Sequence, residues 1–202
     1  LYLDFRKTNQ VFESLATFGY APVTLTGAGE AVRLPGAQVT TDFFRVFRVN
    51  PAIGRSFASD DDEPGRNQVA LIGHELWRTK FASNPDLVNQ SITLDGVAHT
   101  VIGVLPAGFG YPSQTQIWTP LAIRPSTQNS LSRPVIGRLR AGVSRAKAQS
   151  EFETFVASRG TDADQVRTWA AQVMPLKRAV AGDTWQSLPI FTGAVALVLL
   201  VA

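Results

Sequence analysis

The opening residues place apolar side chains at intervals that suit a helix. Phe5, Phe12, Leu15 and Phe18 lie at spacings of three and seven, and charged or amide side chains occupy many of the positions between them. Gly19 follows the last of these apolar positions, and glycine often ends a helix. The pattern therefore predicts one amphipathic helix over this opening segment.

Apolar runs in the middle of the chain predict strands and turns. Ser91–Leu94 and Val97–Val104 flank Asp95-Gly96, a dipeptide that favours a type I′ hairpin because both of its residues adopt positive φ. Residues 68–72 predict a buried strand, and a helix is expected over 73–83. These patterns indicate a β-rich middle region with at least one strand-helix unit.

The remaining elements predict a mixture of helices and strands. Thr41 or Asp42 is expected to cap a short helix that ends at Phe47. Val135–Leu139 predicts a strand, Ser144 caps a following helix, and residues 169–176 predict a last strand. The sequence therefore favours an α+β chain.

The end of the chain is an apolar run over residues 188–202, interrupted by Thr192 and Gly193. Fifteen helical residues reach about 22 Å, which is less than the roughly 30 Å of a bilayer core. The run is interpreted as the start of a truncated transmembrane helix, because it lacks the polar face of a surface helix. A buried terminal helix is the alternative.

Composition narrows the function classes. Lys and Arg total 19 against 16 Asp and Glu, and the basic residues form no cluster, so the sequence argues against a nucleic-acid partner. The chain has no cysteine, which excludes disulfides, thiolate metal sites and cysteine nucleophiles.

The chain shows no arrangement typical of a catalytic or metal site. It has no serine-nucleophile motif and no phosphate-binding loop, and its two histidines, His74 and His99, fall in different predicted elements. The run Asp60-Asp61-Asp62-Glu63 lacks the ligand spacing of a calcium loop and is interpreted as a solvated acidic loop. No catalytic, cofactor-binding or metal-binding residue is expected, and an enzyme is the least favoured interpretation.

The order of several motifs resembles the periplasmic core domain of MacB-type ABC transporter permeases. The matching stretches are Phe12-Glu-Ser-Leu-Ala16, Val39-Thr-Thr-Asp-Phe-Phe44, Pro51-Ala-Ile-Gly-Arg-Ser-Phe57, Asp61 with Pro64-Gly65, Ile92-Thr-Leu-Asp-Gly96, Val101-Ile-Gly-Val-Leu-Pro106, Trp118-Thr-Pro-Leu121 and Gly137-Arg-Leu-Arg-Ala-Gly-Val-Ser144. Val88-Asn-Gln90 departs from the pattern, because the family usually has Gly-Arg before the hairpin strand.

This resemblance implies a two-subdomain extracytoplasmic domain held between membrane helices. The expected porter-like α/β half covers residues 1–40 and 122–182, an inserted β-rich subdomain covers 41–121, and a truncated transmembrane helix starts at 188. The implied location is the periplasmic side of a bacterial inner membrane. The implied partners are a second permease copy, a cytoplasmic ATPase that holds the ATP, the lipid bilayer and a periplasmic adaptor.

The same resemblance implies that mechanical coupling, not catalysis, is the work of the domain. The expected coupling or stalk segments contain Leu3, Phe5, Phe12, Leu15 and Phe18 at the start and Val180, Trp185 and Leu188 near the end. Export or release of a substrate, driven by ATP hydrolysis on the cytoplasmic side, is the expected function. A membrane-anchored binding module without an ATPase partner is the alternative.

Overall fold

The computed structural model describes residues 2–63, 65–123, 133–158 and 173–176. These residues fall into two compact units, 1–141 and 142–202. The α-helices described are α1 Tyr2–Thr8, α2 Phe43–Phe47, α3 His74–Lys80 and α4 Arg145–Ala157. The strands described are β1 Phe12–Tyr20, β2 Val23–Thr26, β3 Val32–Leu34, β4 Gly36–Val39, β5 Ile53–Gly54, β6 Val69–Ile72, β7 Ser91–Leu94, β8 Val97–Val104, β9 Ile117–Pro120 and β10 Val135–Leu139.

The strands form one mixed sheet in the first unit. Their order is β10-β1-β4-β9-β6-β8-β7-β2-β3, and β5 pairs with β8 beside this path. The pairs β4 with β9 and β6 with β8 are parallel, and the other pairs are antiparallel. The prediction of a mixed α/β fold is confirmed. The division into a porter-like half and an inserted subdomain stays a prediction.

Two apolar clusters hold this sheet together. One is aliphatic and contains Leu25, Ile72, Leu94, Val101 and Ile117, with Trp77 and Phe81 packed at its margin. The other is aromatic and links α2 to the sheet and to the loop before β9; its members are Phe18, Phe43, Phe44, Phe47, Phe57, Phe109, Tyr111 and Trp118. The indole N–H of Trp118 donates to the carbonyl of Tyr111 at 2.9 Å, so this buried ring leaves no unpaired donor.

Several local predictions are confirmed. Asp95 and Gly96 have φ of 48° and 81°, as the type I′ hairpin between β7 and β8 requires. The Ser144 hydroxyl accepts from the Lys147 N–H at 3.2 Å and caps α4. In the same unit as α4, the Gln149 side-chain oxygen accepts from the Val173 N–H at 2.6 Å.

The other predicted elements have mixed outcomes. The strand over 68–72 and the helix after it appear as β6 and α3, and Val135–Leu139 is β10. Asp42 precedes α2 but makes no side-chain capping bond. In the predicted last strand, 173–175 are irregular and 169–172 lie outside the described residues.

The predicted opening helix is wrong after Thr8. Residues Phe12–Tyr20 form strand β1, which is paired with β10 on one side and β4 on the other. The three-residue spacing between Phe12 and Leu15 resembles that of a helix because the β1–β10 register shifts between Phe12 and Ser14. Phe12 lies opposite Leu139, and Leu15 lies opposite Gly137. Three residues of β1 therefore oppose two of β10, and a β-bulge imitates a helical interval.

Gly137 shows that this bulge places both apolar side chains on one face. A Cβ on Gly137 would lie 2.6 Å from Phe12 Cδ1 and 2.7 Å from Leu15 Cδ2. The missing side chain at position 137 therefore leaves room for the Phe12 ring and the Leu15 methyl groups.

Gly54 provides a test of the packing between β5 and β8. Its φ is +80°, and a Cβ there would lie 2.3 Å from the backbone carbonyl oxygen of Ile102. Gly96 has a nearly identical φ of +81°, and a Cβ there would meet nothing within 4 Å. We expect Gly96→Ala to cost about 1 kcal/mol of unfolding free energy through backbone strain alone.

Gly54→Ala adds overpacking to the same strain and should cost about 3 kcal/mol or more. Urea denaturation of both variants measures the difference. Equal losses in the two variants would contradict the close approach of β5 to β8.

Candidate functional site

The segment that carries the first group of predicted stalk residues forms a junction between α1 and the sheet. We define the α1 junction as Tyr2, Phe5 and Arg6 of α1, Phe12 and Leu15 of β1, and Thr40 and Asp42 at the turn from β4 into α2. The structure brings Phe5, Phe12 and Leu15 together here, although Phe12 and Leu15 belong to a strand. Phe18, at the far end of β1, packs instead against Phe43 and Tyr111. The coupling role of these residues stays a prediction.

Apolar packing makes the first contact of the α1 junction. Phe5 is 5% exposed, and its ring meets that of Phe12 edge-on with centroids 6.1 Å apart. Leu3 is half-buried on the same helix. A helix of seven residues is too short to be stable by itself in water, so this packing is what keeps α1 folded.

Tyr2 adds a buried polar contact to the α1 junction. Its hydroxyl donates to the carbonyl of Leu15 at 3.0 Å, and Tyr2 is 4% exposed. Burial raises the pKa of Tyr2 more than the hydrogen bond with Thr40 and the positive charge of Arg6 lower it. The phenol is therefore neutral and available as a donor at neutral pH.

An ion pair closes the α1 junction on its outer side. The Arg6 guanidinium donates to Asp42 Oδ2, and Arg45 of α2 donates to Asp42 Oδ1 at 3.2 Å. Asp42 therefore binds arginines of two helices; its backbone is helical (φ −79°, ψ −1°), not extended as at a usual N-cap, and its carboxylate makes no capping bond to α2. A capping bond is local, whereas Arg6 lies 36 residues from Asp42 in sequence, so the local pattern predicts the cap and not this ion pair.

Thr40 ties the turn beneath α1 to β1. Its hydroxyl accepts from the Thr17 N–H at 3.1 Å, and its own N–H donates to the Thr17 carbonyl at 3.1 Å. Both threonines are buried. The surface that receives α1 is thus fixed by backbone bonds as well as by side chains.

A polar groove lies next to the α1 junction. It has a volume of about 270 Å³ and is lined by Glu13, Ser14, Arg45, Arg48, Val49 and Asn50. Arg48 donates to Glu13 at 3.1 Å, and both side chains are exposed. Such a pair contributes about 0–1 kcal/mol, so it does little to stabilise the fold.

The acidic run is solvated at Asp60 and Glu63, as the sequence predicted, but not at Asp61 or Asp62. Asp61 is buried and accepts two bonds from Arg55, at 2.7 and 3.2 Å, and one from the Ala58 N–H at 2.8 Å. Burial acts to raise the pKa of Asp61, but the bonds from Arg55 and Ala58 outweigh it and lower that pKa. Asp60, by contrast, is exposed and pairs with the exposed Arg66 at 3.1 Å.

The Asp62 carboxylate also accepts hydrogen bonds from other parts of the chain. Its Oδ2 accepts from the Thr41 hydroxyl at 3.3 Å, and its Oδ1 accepts from the Ala122 N–H at 3.3 Å. Burial raises the pKa of Asp62 more than these hydrogen bonds and the charge of Arg6 lower it. The prediction failed for Asp61 and Asp62 because their partners cannot be read from the composition of the run.

The described residues contain no cluster of three or more His, Asp or Glu side chains that could hold a metal ion. His99 makes a 3.0 Å contact with the Val97 carbonyl, and His74 lies 3.6 Å from Glu75 and edge-on to Trp77. That neither histidine has a catalytic role stays a prediction.

The later predicted stalk residues and the predicted membrane segment lie beyond the part of the chain that the structure describes. Val180, Trp185 and Leu188 lie outside the described residues, as does the apolar run over 188–202. Within the described part of the chain, no helix has the length and hydropathy needed to cross a bilayer.

The fold and the α1 junction define a mixed α/β domain in which the short helix α1 packs against the sheet. Residues 3–155 match the family model of the MacB-like periplasmic core domain, so the chain belongs to that family. It is therefore a periplasmic domain of a MacB-like ABC transporter permease, an extracytoplasmic part of a membrane protein.

Solved structures share this fold. The periplasmic region of MacB from Actinobacillus actinomycetemcomitans aligns with a TM-score of 0.60 at 14% identity, over 87% of this chain and 85% of that one. A domain of a putative permease from Porphyromonas gingivalis aligns with a TM-score of 0.58 at 18% identity, over 80% and 76%. No protein with a curated description matches the chain.

The contrast between Asp61 and Asp60 predicts a pH-dependent difference in stability. A carboxylate whose pKa is lowered by folding stabilises the fold above its unfolded pKa, and that contribution is lost as the pH falls through the folded pKa. At pH 7, Asp61→Asn should therefore cost about 1–3 kcal/mol, because it breaks charge-assisted hydrogen bonds of a buried group. The loss should shrink as the pH falls below about 4.

Asp60→Asn is the matched control from the same loop, and we expect it to change stability by less than about 0.5 kcal/mol. Urea denaturation at pH 7 and pH 3 compares the two variants. A loss for Asp61→Asn that is as large at pH 3 as at pH 7 would show that its charge does not stabilise the fold.

Proposed function

We propose that this domain transmits ATP-driven motion of the permease's membrane helices to its periplasmic side, where a substrate is exported or released. The observation that carries the proposal is the attachment of α1, the first described element of the chain, to the sheet. Phe5 packing, the Tyr2 hydrogen bond and the Arg6–Asp42 pair connect α1 to β1 and α2. A helix fixed at several points transmits displacement to the sheet instead of swivelling on a loop.

The proposal places the domain on the periplasmic side of a bacterial inner membrane. Its partners are a second copy of the permease, the lipid bilayer, a cytoplasmic ATPase subunit or domain that binds the ATP, and a periplasmic adaptor. The domain itself would have no catalytic residue and no cofactor. Family membership supports this setting.

Spin labels on the full permease provide the test. The chain has no native cysteine, so one cysteine at Ala98, an exposed position on β8, labels each copy at a single point of this domain. Distances between the two copies are measured by pulsed electron paramagnetic resonance, with and without ATP and vanadate. We expect nucleotide trapping to shift the distance in the otherwise unsubstituted permease.

Phe5→Ala should reduce this shift while ATP hydrolysis continues, because removing a buried phenylalanine costs about 3–5 kcal/mol and leaves α1 held only by the Tyr2 hydrogen bond and the Arg6–Asp42 pair. Phe81→Ala removes a ring from the margin of the aliphatic cluster and should retain the shift. Absence of any nucleotide-dependent shift in the starting permease would favour a binding module that works without an ATPase. A full shift in Phe5→Ala would show that α1 is not the coupling element.

A further inference from the structure

The polar groove next to the α1 junction lies where the end of α2 meets the start of β1. Arg45 belongs to α2, and Arg48 ends that helix with a left-handed backbone at φ 56°. Glu13 and Ser14 line the same groove from β1. Its volume of about 270 Å³ is slightly below the roughly 300–1,000 Å³ of pockets for drug-sized ligands. The groove therefore has room for a small molecule.

Positive charge predominates around this groove. Among the described residues that line it, Arg45 and Arg48 are basic and Glu13 is the one acid. Arg138 of β10 adds a third arginine, because its Nε donates to the Val46 carbonyl of α2 at 2.8 Å. These two residues are 92 positions apart, so the sequence shows no basic cluster here. The charge favours a ligand that is negatively charged.

Most of the hydrogen-bond donors of the two groove arginines are free to bind such a ligand. A guanidinium group has five N–H donors. Among the described residues, Arg45 donates through Nη1 to Asp42, and Arg48 donates through Nη2 to Glu13. Both arginine side chains are largely exposed. Their other donors are therefore accessible to a carboxylate or a phosphate, the groups that arginine binds best.

Ser14 provides a second observation that points to a ligand. Its hydroxyl oxygen is buried and has no hydrogen-bond partner among the described residues. An unsatisfied buried hydroxyl costs about 1–3 kcal/mol, and folded proteins contain few of them. Because Ser14 lines the groove, an anion bound there would bring acceptor oxygens next to this residue.

We propose that the groove is a binding site for a small molecule with a carboxylate or phosphate group, which Arg45 and Arg48 bind. Glu13 holds Arg48 at 3.1 Å, so it competes with the ligand, and the bound anion replaces it as the acceptor of Arg48. This site goes beyond the proposed coupling function and does not depend on it, because binding requires no nucleotide.

Phenylglyoxal, which modifies accessible arginine side chains, tests the site on the full permease without nucleotide. Peptide mass spectrometry measures the modification rates of Arg45 and Arg48 as succinate or inorganic phosphate is added at constant ionic strength. We expect one of these anions to slow both rates about threefold or more, with saturation at millimolar concentration.

Arg66 is the matched control for this measurement. It is 63% exposed, against 67% for Arg48, and it also pairs with an exposed carboxylate at 3.1 Å. Arg66 does not line the groove, so its modification rate should not change. An unchanged rate at either groove arginine with both anions, or equal slowing at Arg66, would overturn the proposal.

Glu13→Gln gives the proposal a second test, because it removes the carboxylate that competes for Arg48. The anion concentration that protects Arg48 by half should fall about three- to tenfold. Asp60→Asn frees Arg66 in the same way and should leave that concentration unchanged. Both replaced side chains belong to exposed pairs that contribute little to stability, so both variants should fold. Unchanged or weaker protection in Glu13→Gln would overturn the assignment of the groove as an anion site.

Discussion

The pairing of β1 with one strand on each of its edges is the constraint on which the rest of this structure depends. β1 bonds to β10 through its first half and to β4 through its last residues, so it joins the strand that follows the predicted insertion to the strand that precedes it. The carbonyl of Leu15 on this strand receives the Tyr2 hydroxyl, and the ring of Phe12 receives Phe5. The position of α1 is therefore set by a strand that is itself held on both sides.

Charge is arranged around this strand to connect segments that are distant in sequence. Asp42 joins α1 to α2 through Arg6 and Arg45, and Asp62 joins the ends of β4 and β9. Among the described residues of the acidic run, Asp61 makes the shortest contact with an arginine, a bidentate bond from the half-exposed Arg55 to a buried carboxylate. The first three residues of that run thus have different surroundings. Asp60 is exposed, Asp61 is buried and bonded to Arg55, and Asp62 accepts longer bonds from Thr41 and Ala122.

Much of the fold could be predicted from local sequence, and the failures have physical reasons. Asp95-Gly96 and Ser144 specify a turn and a cap within a few residues, so their structures follow from nearby chemistry. The helix expected at Phe12 and Leu15 failed because a β-bulge gives a strand the interval of a helix. The sequence pattern nevertheless grouped Phe12 and Leu15 with Phe5, as the structure does. The hydrogen bonds of Asp62 could not be predicted in this way, because its partners lie 21 and 60 residues away and leave no local pattern.

The most direct test is whether α1 moves together with the strands that hold it. One spin label at Lys7 on α1 and another at Val135 on β10, both exposed positions, would be placed in one copy of the permease, with the other copy unlabelled. Their separation would be measured by pulsed electron paramagnetic resonance with and without ATP and vanadate. We expect the mean distance to stay the same with nucleotide, because α1 is fixed to β1 and β1 is paired with β10. A mean distance that changes with nucleotide in this otherwise unsubstituted permease would contradict the attachment of α1 to the sheet.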